Sequence, residues 1–217
     1  MPGYSTREVS LRIGGLDYRI RALSDKQQYG DPSGLARRAG ISSSLWSLFG
    51  QVWPAGRVLA QAMSGFDVQG KRVLEVGCGL GLSSLVLKRR GGDIVASDHH
   101  PLAHSFLEYN AGLNGMDTPR YCDLPWAVVN PDLGKFDLII GADILYERDH
   151  AVLLASLVRR HASPSAEIVI TDPGRGNSGP FTTALQRIGF SVDETRSPFD
   201  DGDEPPYRGR LLSYRRS

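Results

Sequence analysis

From Lys71 onward the chain alternates short apolar runs with stretches of helical spacing, and this alternation restricts the fold more than any other feature. "RVLEVG", "DIVASD", "PRYCDL", "FDLIIGADIL" and "AEIVITDP" read as strands. "GLSSLVLKRRG", "PLAHSFLEYNAGLNG", "AVLLASLVRRHA" and "FTTALQRIG" read as helices. Strands alternating with helices imply a parallel sheet covered on both faces. The last two strands, "FSVDETRS" and "RGRLLSYRR", follow one another without a helix, so one runs antiparallel. The expected class is α/β: a Rossmann-like, seven-stranded, mostly parallel sheet with helices on both faces and the last strand antiparallel. The acidic "DDGDEPP" between the last two strands reads as a solvated hairpin loop.

The first fifty residues follow another pattern. "REVSLRIGGLDYRIRAL" alternates apolar and polar residues around Gly14 and Gly15, which predicts a β-hairpin. Ser24–Ser44 is polar and rich in glycine and serine, so it reads as a loop or lid. "PAGRVLAQAM" then has helical spacing with proline in its first turn. The expected organisation is a hairpin and lid segment over residues 1–50 and the main domain over 51–217. At 217 residues the chain can bury one α/β core. Its net charge of +1 gives no bulk attraction to nucleic acid or anionic membrane. Cys78 and Cys122 make no disulfide framework and no C-x-x-C metal pattern, so no metal site is expected. With no apolar leader and no run of membrane-spanning length, the expected location is cytoplasmic.

Ligands of such sheets bind at the carboxyl ends of the strands. Here the turn after "RVLEV" carries Gly77, Gly79 and Gly81 as G-x-G-x-G. Leu82 stands where a dinucleotide fingerprint has its last glycine, and the phosphate-loop Lys-Ser/Thr pair is absent. Glu75, two residues before the first glycine, would repel a pyrophosphate but suits an ammonium or sulfonium. Asp98, ending the next strand, can accept both hydroxyls of a ribose. A nucleoside with a cationic tail fits this set, and S-adenosylmethionine is such a ligand. The competing reading is a dehydrogenase-like domain with a drifted third glycine. Further on, Asp123 of "YCDLPW" can accept an adenine amino group, with Leu124 and Trp126 covering the ring; Trp126 could equally be a core aromatic. Trp53, just before a helix start, could serve only to pack that helix.

"VWPAGRVLA", "VLEVGCGLGL", "VASDHHP", "DLPW" and "GADILYERD" together resemble the seven-strand, class I S-adenosylmethionine-dependent methyltransferases. Within them the chain is similar to the family-16 group, which contains protein-lysine methyltransferases, over about Trp46 to Pro173. The resemblance implies that Trp53, Glu75, Gly77, Gly79, Gly81, Asp98, Asp123 and Trp126 line the cofactor, with Ala142 lying against it. "DPGR", Asp172 to Arg175, is similar to a segment of the subgroup that methylates the electron-transfer flavoprotein β subunit.

The family's D-x-x-Y pattern falls on Asp143 and Tyr146, at the expected ligand edge of the sheet. A lysine must lose its proton before attacking a methyl group, yet its reference pKa is about 10.4. Asp143 could orient the incoming ammonium, and Tyr146 could add a hydrogen bond and an aromatic wall. The structural alternative makes Asp143 a helix N-cap and Tyr146 a packing residue. Nucleic-acid amino methyltransferases of this fold usually carry a Pro-Pro-aromatic loop here; Ile144-Leu145 replaces the prolines, which counts against a flipped base. The expected activity is transfer of a methyl from S-adenosyl-L-methionine to a protein lysine, leaving S-adenosyl-L-homocysteine. The alternatives are a small-molecule N- or O-methyltransferase and a non-catalytic adenosyl-binding module. Nucleic acid and membrane are not expected partners. His99, His100 and His104 read as exposed side chains, the last two one helical turn apart. Cys78 needs only to be small, Lys88–Arg90 is a solvated helix end, and Arg175 either faces an acidic substrate or decorates a turn.

Overall fold

The computed structural model describes residues 4–24, 31, 34–196 and 207–216. The acidic loop expected at 200–206, and residues 25–30, 32 and 33 of the expected lid, lie outside the described residues. The N-terminal hairpin pairs β1 (Thr6–Ile13) with β2 (Leu16–Leu23). Two short helices, α1 (Leu35–Arg38) and α2 (Ser43–Trp46), lead to α3 (Pro54–Gly65), which starts with proline in its first turn. Then follow β3 (Arg72–Val76), α4 (Leu82–Arg89), β4 (Asp93–Asp98), α5 (Ala103–Leu113) and β5 (Arg120–Asp123). The remainder is β6 (Phe136–Ala142), α6 (His150–His161), β7 (Ala162–Asp172), α7 (Ser178–Gln186), β8 (Ser191–Thr195) and β9 (Arg210–Arg215).

Seven strands form one sheet in the order β5-β4-β3-β6-β7-β9-β8, with β9 antiparallel to both neighbours. The order reverses between β3 and β6, and a crevice opens outside the carboxyl ends of strands at such a switch point. Alternation along the buried strands sorts their side chains into two cores. Val73, Leu138, Ile140 and Val169 face α3, α4 and α5, together with Ile13, Tyr18 and Ile20 of the hairpin. Leu74, Val76, Ile139, Ile168 and Ile170 face α6 and α7. The outer edge of β2 is closed by two asparagines, Asn110 of α5 and Asn114 at its C-terminal cap. Asn110 accepts the Arg21 amide at 2.7 Å, and Asn114 exchanges hydrogen bonds with both backbone groups of Arg19. An edge strand otherwise leaves such groups unpaired.

Two strand bounds differ from the pattern in the sequence. β6 stops at Ala142 rather than Leu145, because Asp143 has φ 52, the one positive value outside glycine among the described residues. Such a backbone ends an extended ladder. Ile144 and Leu145 stay apolar because they turn back into the core, where both are buried. β7 in turn begins at Ala162, directly after α6, with a register shift against β6 between Phe136 and Leu138.

Candidate functional site

The turn after β3 is built from left-handed glycines. Gly81, at φ 82, opens α4, and a Cβ there would lie 2.3 Å from Leu107 Cδ1 in the core. Gly79, at φ 53, has open space where a side chain would be, so its backbone can approach a ligand closely. Gly77 makes room for the protein's own chain: Ile144 packs over it and over Gly141. A cleft at this turn is lined by Trp53, Glu75, Gly77, Gly79 and Ala142, with Gln51, Val52 and Leu82 beside them. Trp53 is fixed there by donating its indole N–H to the Leu48 carbonyl at 3.0 Å.

Two carboxylates flank the turn. Glu75 is only 3% exposed, and the Ser84 hydroxyl donates to its Oε2. Burial pushes the Glu75 carboxyl up to about 7, although Ser84 and Ser83 favour the ionised form. Asp98 ends β4 and is half-buried; Oδ2 accepts the Gly79 amide at 2.8 Å and Oδ1 the His100 amide at 2.8 Å. Desolvation raises its pKa against those donors. The carboxylate thus tethers the glycine turn and keeps lone pairs free for further donors.

The histidines after β4 are not the exposed set that the sequence suggests. His100 is 7% exposed, stacks on Phe49 at 3.9 Å and lies against Trp46 at 4.3 Å. Burial pushes its pKa down to about 3. It precedes α5, so it shares no helical turn with His104, which stacks on Tyr121. His99 bonds the Ala39 carbonyl at 2.7 Å and lies 3.3 Å from Asp123 Oδ1. The described part of the expected lid is thereby docked beside Asp98. Asp123 itself is exposed and Leu124 is buried.

The motif past β6 forms a second group. Asp143 is no helix cap, since α6 begins at His150 with Asp149 before it. Its amide donates to the Thr171 carbonyl at 2.8 Å. Its carboxylate receives Arg175 Nε on Oδ1 and Nη2 on Oδ2, both at 2.6 Å. Arg175 is therefore committed to Asp143, in a two-pronged pair. Tyr146 presents its ring edge-on to His150, and His150 does the same with Trp126. Trp126 thus stands with Tyr146 and not among the residues lining the cleft. Burial raises the Tyr146 phenol to about 12. His150, which joins the two rings and bonds the Ile144 carbonyl, carries no signal in the sequence beyond its spacing from Tyr146. Glu147, Asp149 and His150 bring ligand-type atoms within 4.8 Å of one another.

A model of the lysine methyltransferase family matches residues 42–185, and the chain belongs to that family. It is 31% identical over 180 residues to the mouse electron transfer flavoprotein beta subunit lysine methyltransferase, covering 80% of this chain and 63% of the relative. It is 34% identical over 164 residues to the zebrafish protein N-lysine methyltransferase METTL21A, covering 70% and 73%. The chain thus spans a little under two thirds of the flavoprotein-directed relative's length. Among solved structures it resembles the magnesium protoporphyrin IX methyltransferase of Synechocystis with bound SAM (TM-score 0.60, 18% identity, 89% and 98% covered). The T. thermophilus 16S rRNA methyltransferase RsmC, in complex with AdoMet and guanosine, superposes with a TM-score of 0.63 at 17% identity, over 100% of this chain and 52% of that one. At these identities the likeness establishes the fold.

Proposed function

We propose that the protein transfers a methyl group from S-adenosylmethionine to a lysine side chain of another protein. The observation that carries this reading is the placement of two unlike groups at one sheet edge. β3 carries Glu75 and runs into the Gly77–Gly81 turn, and its neighbour β6 ends at Ala142, with Asp143 and Tyr146 just past it. The donor-binding set is Trp53, Glu75, Gly77, Gly79, Gly81, Asp98 and Ala142, with Asp123 and Leu124 at the adenine end; Trp126, joined to Tyr146 through His150, falls on the acceptor side instead.

The residues present fit the donor. Glu75 is a buried carboxyl with no cation beside it among the described residues, and an ammonium there would hold it in its ionised form. Asp98 has acceptor capacity left for ribose hydroxyls, and Gly79 leaves space above the turn. When bound, the donor supplies an electrophilic methyl on a sulfonium. The chain supplies alignment: Asp143 accepts an N–H from the acceptor amine, and the Tyr146 ring walls its path. No helix among the described residues is long and apolar enough to cross a membrane. The free thiols of Cys78 and Cys122 accord with a cytoplasmic location.

The test is Asp143→Asn, with melting temperature, S-adenosylhomocysteine affinity and labelling of lysate protein measured on one sample. Turnover should fall at least tenfold, more than about 1.4 kcal/mol of transition-state stabilisation, with donor affinity nearly unchanged. Normal turnover in the folded variant would remove Asp143 from the reaction.

A further inference from the structure

The pairing of Asp143 with Arg175 poses a chemical question. A carboxylate that meets a lysine as an unpaired anion stabilises the ammonium, which has no lone pair to attack with. Here the carboxylate is 13% exposed and already carries a guanidinium across both oxygens, 42% exposed. Arginine does not titrate in the physiological range, so the guanidinium keeps its charge throughout. A side-on fork engages one lone pair of each oxygen and leaves others to accept an N–H.

The loop is shaped to deliver this cation. Arg175 follows β7 between Gly174 (φ 96) and Gly176 (φ 90). Asp172 Oδ1 accepts the Gly174 amide at 3.1 Å, and Arg210 Nε lies 3.5 Å from Asp172 Oδ2. The charged groups at this corner are Asp143, Asp172, Arg175 and Arg210, with Glu194 bonded to Arg210 at 3.2 Å and Arg196 bonded to Glu194 at 2.8 Å, three of each sign, and Tyr146 and Tyr207 stand beside them as phenols. Glu147 and Asp98 act on the Tyr146 side. Removing Arg175 would leave the corner with a net negative charge.

We propose that Arg175 is a positioning residue that neutralises Asp143, so that the acceptor lysine is held as a neutral amine with its lone pair available. The proton that lysine gives up goes to water, and Asp143 accepts one remaining N–H. This rests on the reading of Asp143 as the residue that orients the acceptor.

The experiment measures the maximal rate at which labelled S-adenosylmethionine modifies lysate protein, from about pH 7 to about pH 10. Wild type, Asp143→Asn, Arg175→Gln and the double variant are compared. Arg175→Gln should move the acid limb up by about one unit or more, the shift expected when an unpaired carboxylate faces an amine. Its loss of about tenfold on that limb should be regained at the alkaline end. The double variant, neutral again, should return the limb toward its wild-type position on a lower plateau. An unmoved limb with a uniform loss overturns the proposal in favour of a merely structural pair. An unmoved limb with a lower half-saturating lysate concentration overturns it in favour of a guanidinium that the acceptor displaces. If Asp143→Asn alone has full turnover, or wild type labels no protease-sensitive material, the underlying reading has failed instead.

Discussion

The two halves of the proposed site, one for the donor and one for the acceptor, are built by opposite means. At the proposed donor end, Glu75 lies one residue before the end of β3 and Asp98 ends the neighbouring parallel β4; Ser84 holds the first and backbone amides the second. At the acceptor end, Asp143 lies past its strand in a left-handed conformation, held by a side chain 32 residues away. One end withholds a cation from a buried carboxyl; the other supplies one. On the proposed reading, Glu75 finds its charge partner in the bound donor, whereas Asp143 is paired within the chain by Arg175. That difference suits a reaction in which one substrate is permanently cationic and the other must arrive neutral.

The largest expected effect tests the donor half. The Glu75 carboxyl has a folded pKa of about 7 against its ordinary 4.5. Between those values the folded chain holds a proton that the unfolded chain has released. The stabilisation is therefore complete below about 4.5 and lost as pH rises through 7. Above that pH the buried anion costs about 3 kcal/mol in the ligand-free protein. Glu75→Gln should remove this cost, giving a higher stability than wild type at alkaline pH, and should weaken S-adenosylmethionine binding. Urea unfolding across the window, with calorimetry of the same samples, measures both. A variant that keeps the wild-type pH dependence would move the titration to another desolvated carboxyl, Asp98 first.

Next in size is Asp98→Ala, expected to cost about 1–3 kcal/mol in affinity for S-adenosylhomocysteine. Because Asp98 also accepts the amides of Gly79 and His100, the variant should melt lower as well. A lowered melting temperature with unchanged affinity would make Asp98 a tether of the turn alone.

The contrast between the ends also explains what the sequence discloses. Alternating strands and helices, the glycine spacing and the acids at strand ends are local patterns, and they locate the sheet, its antiparallel last strand and the donor turn. The end of β6 is not legible, because Ile144 and Leu145 continue the apolar run past Asp143 while a single dihedral at Asp143 ends the strand. His100 looks like a surface residue until Phe49 and Trp46 arrive from an element far away in the chain. Arg175 is equally opaque: its neighbours describe a turn, and its partner lies just past another strand. Contacts made by loops across the fold leave no period behind them.

The smallest effect separates the members of the acceptor half. Tyr146→Phe keeps the ring that meets His150 edge-on and removes only the hydroxyl. With the phenol raised to about 12, that hydroxyl stays protonated wherever the enzyme is assayed, so its loss changes no charge. The labelling rate should fall less than tenfold, by about 1 kcal/mol, the worth of one neutral hydrogen bond. The acid limb of the pH profile should stay where it is, in contrast to Arg175→Gln, and the melting temperature should remain near wild type. Tyr146→Ala should lose more, because the wall beside His150 and Trp126 goes with the ring. A Phe variant as impaired as Asp143→Asn would reverse the ranking, making the phenol and not the carboxylate the group that orients the amine.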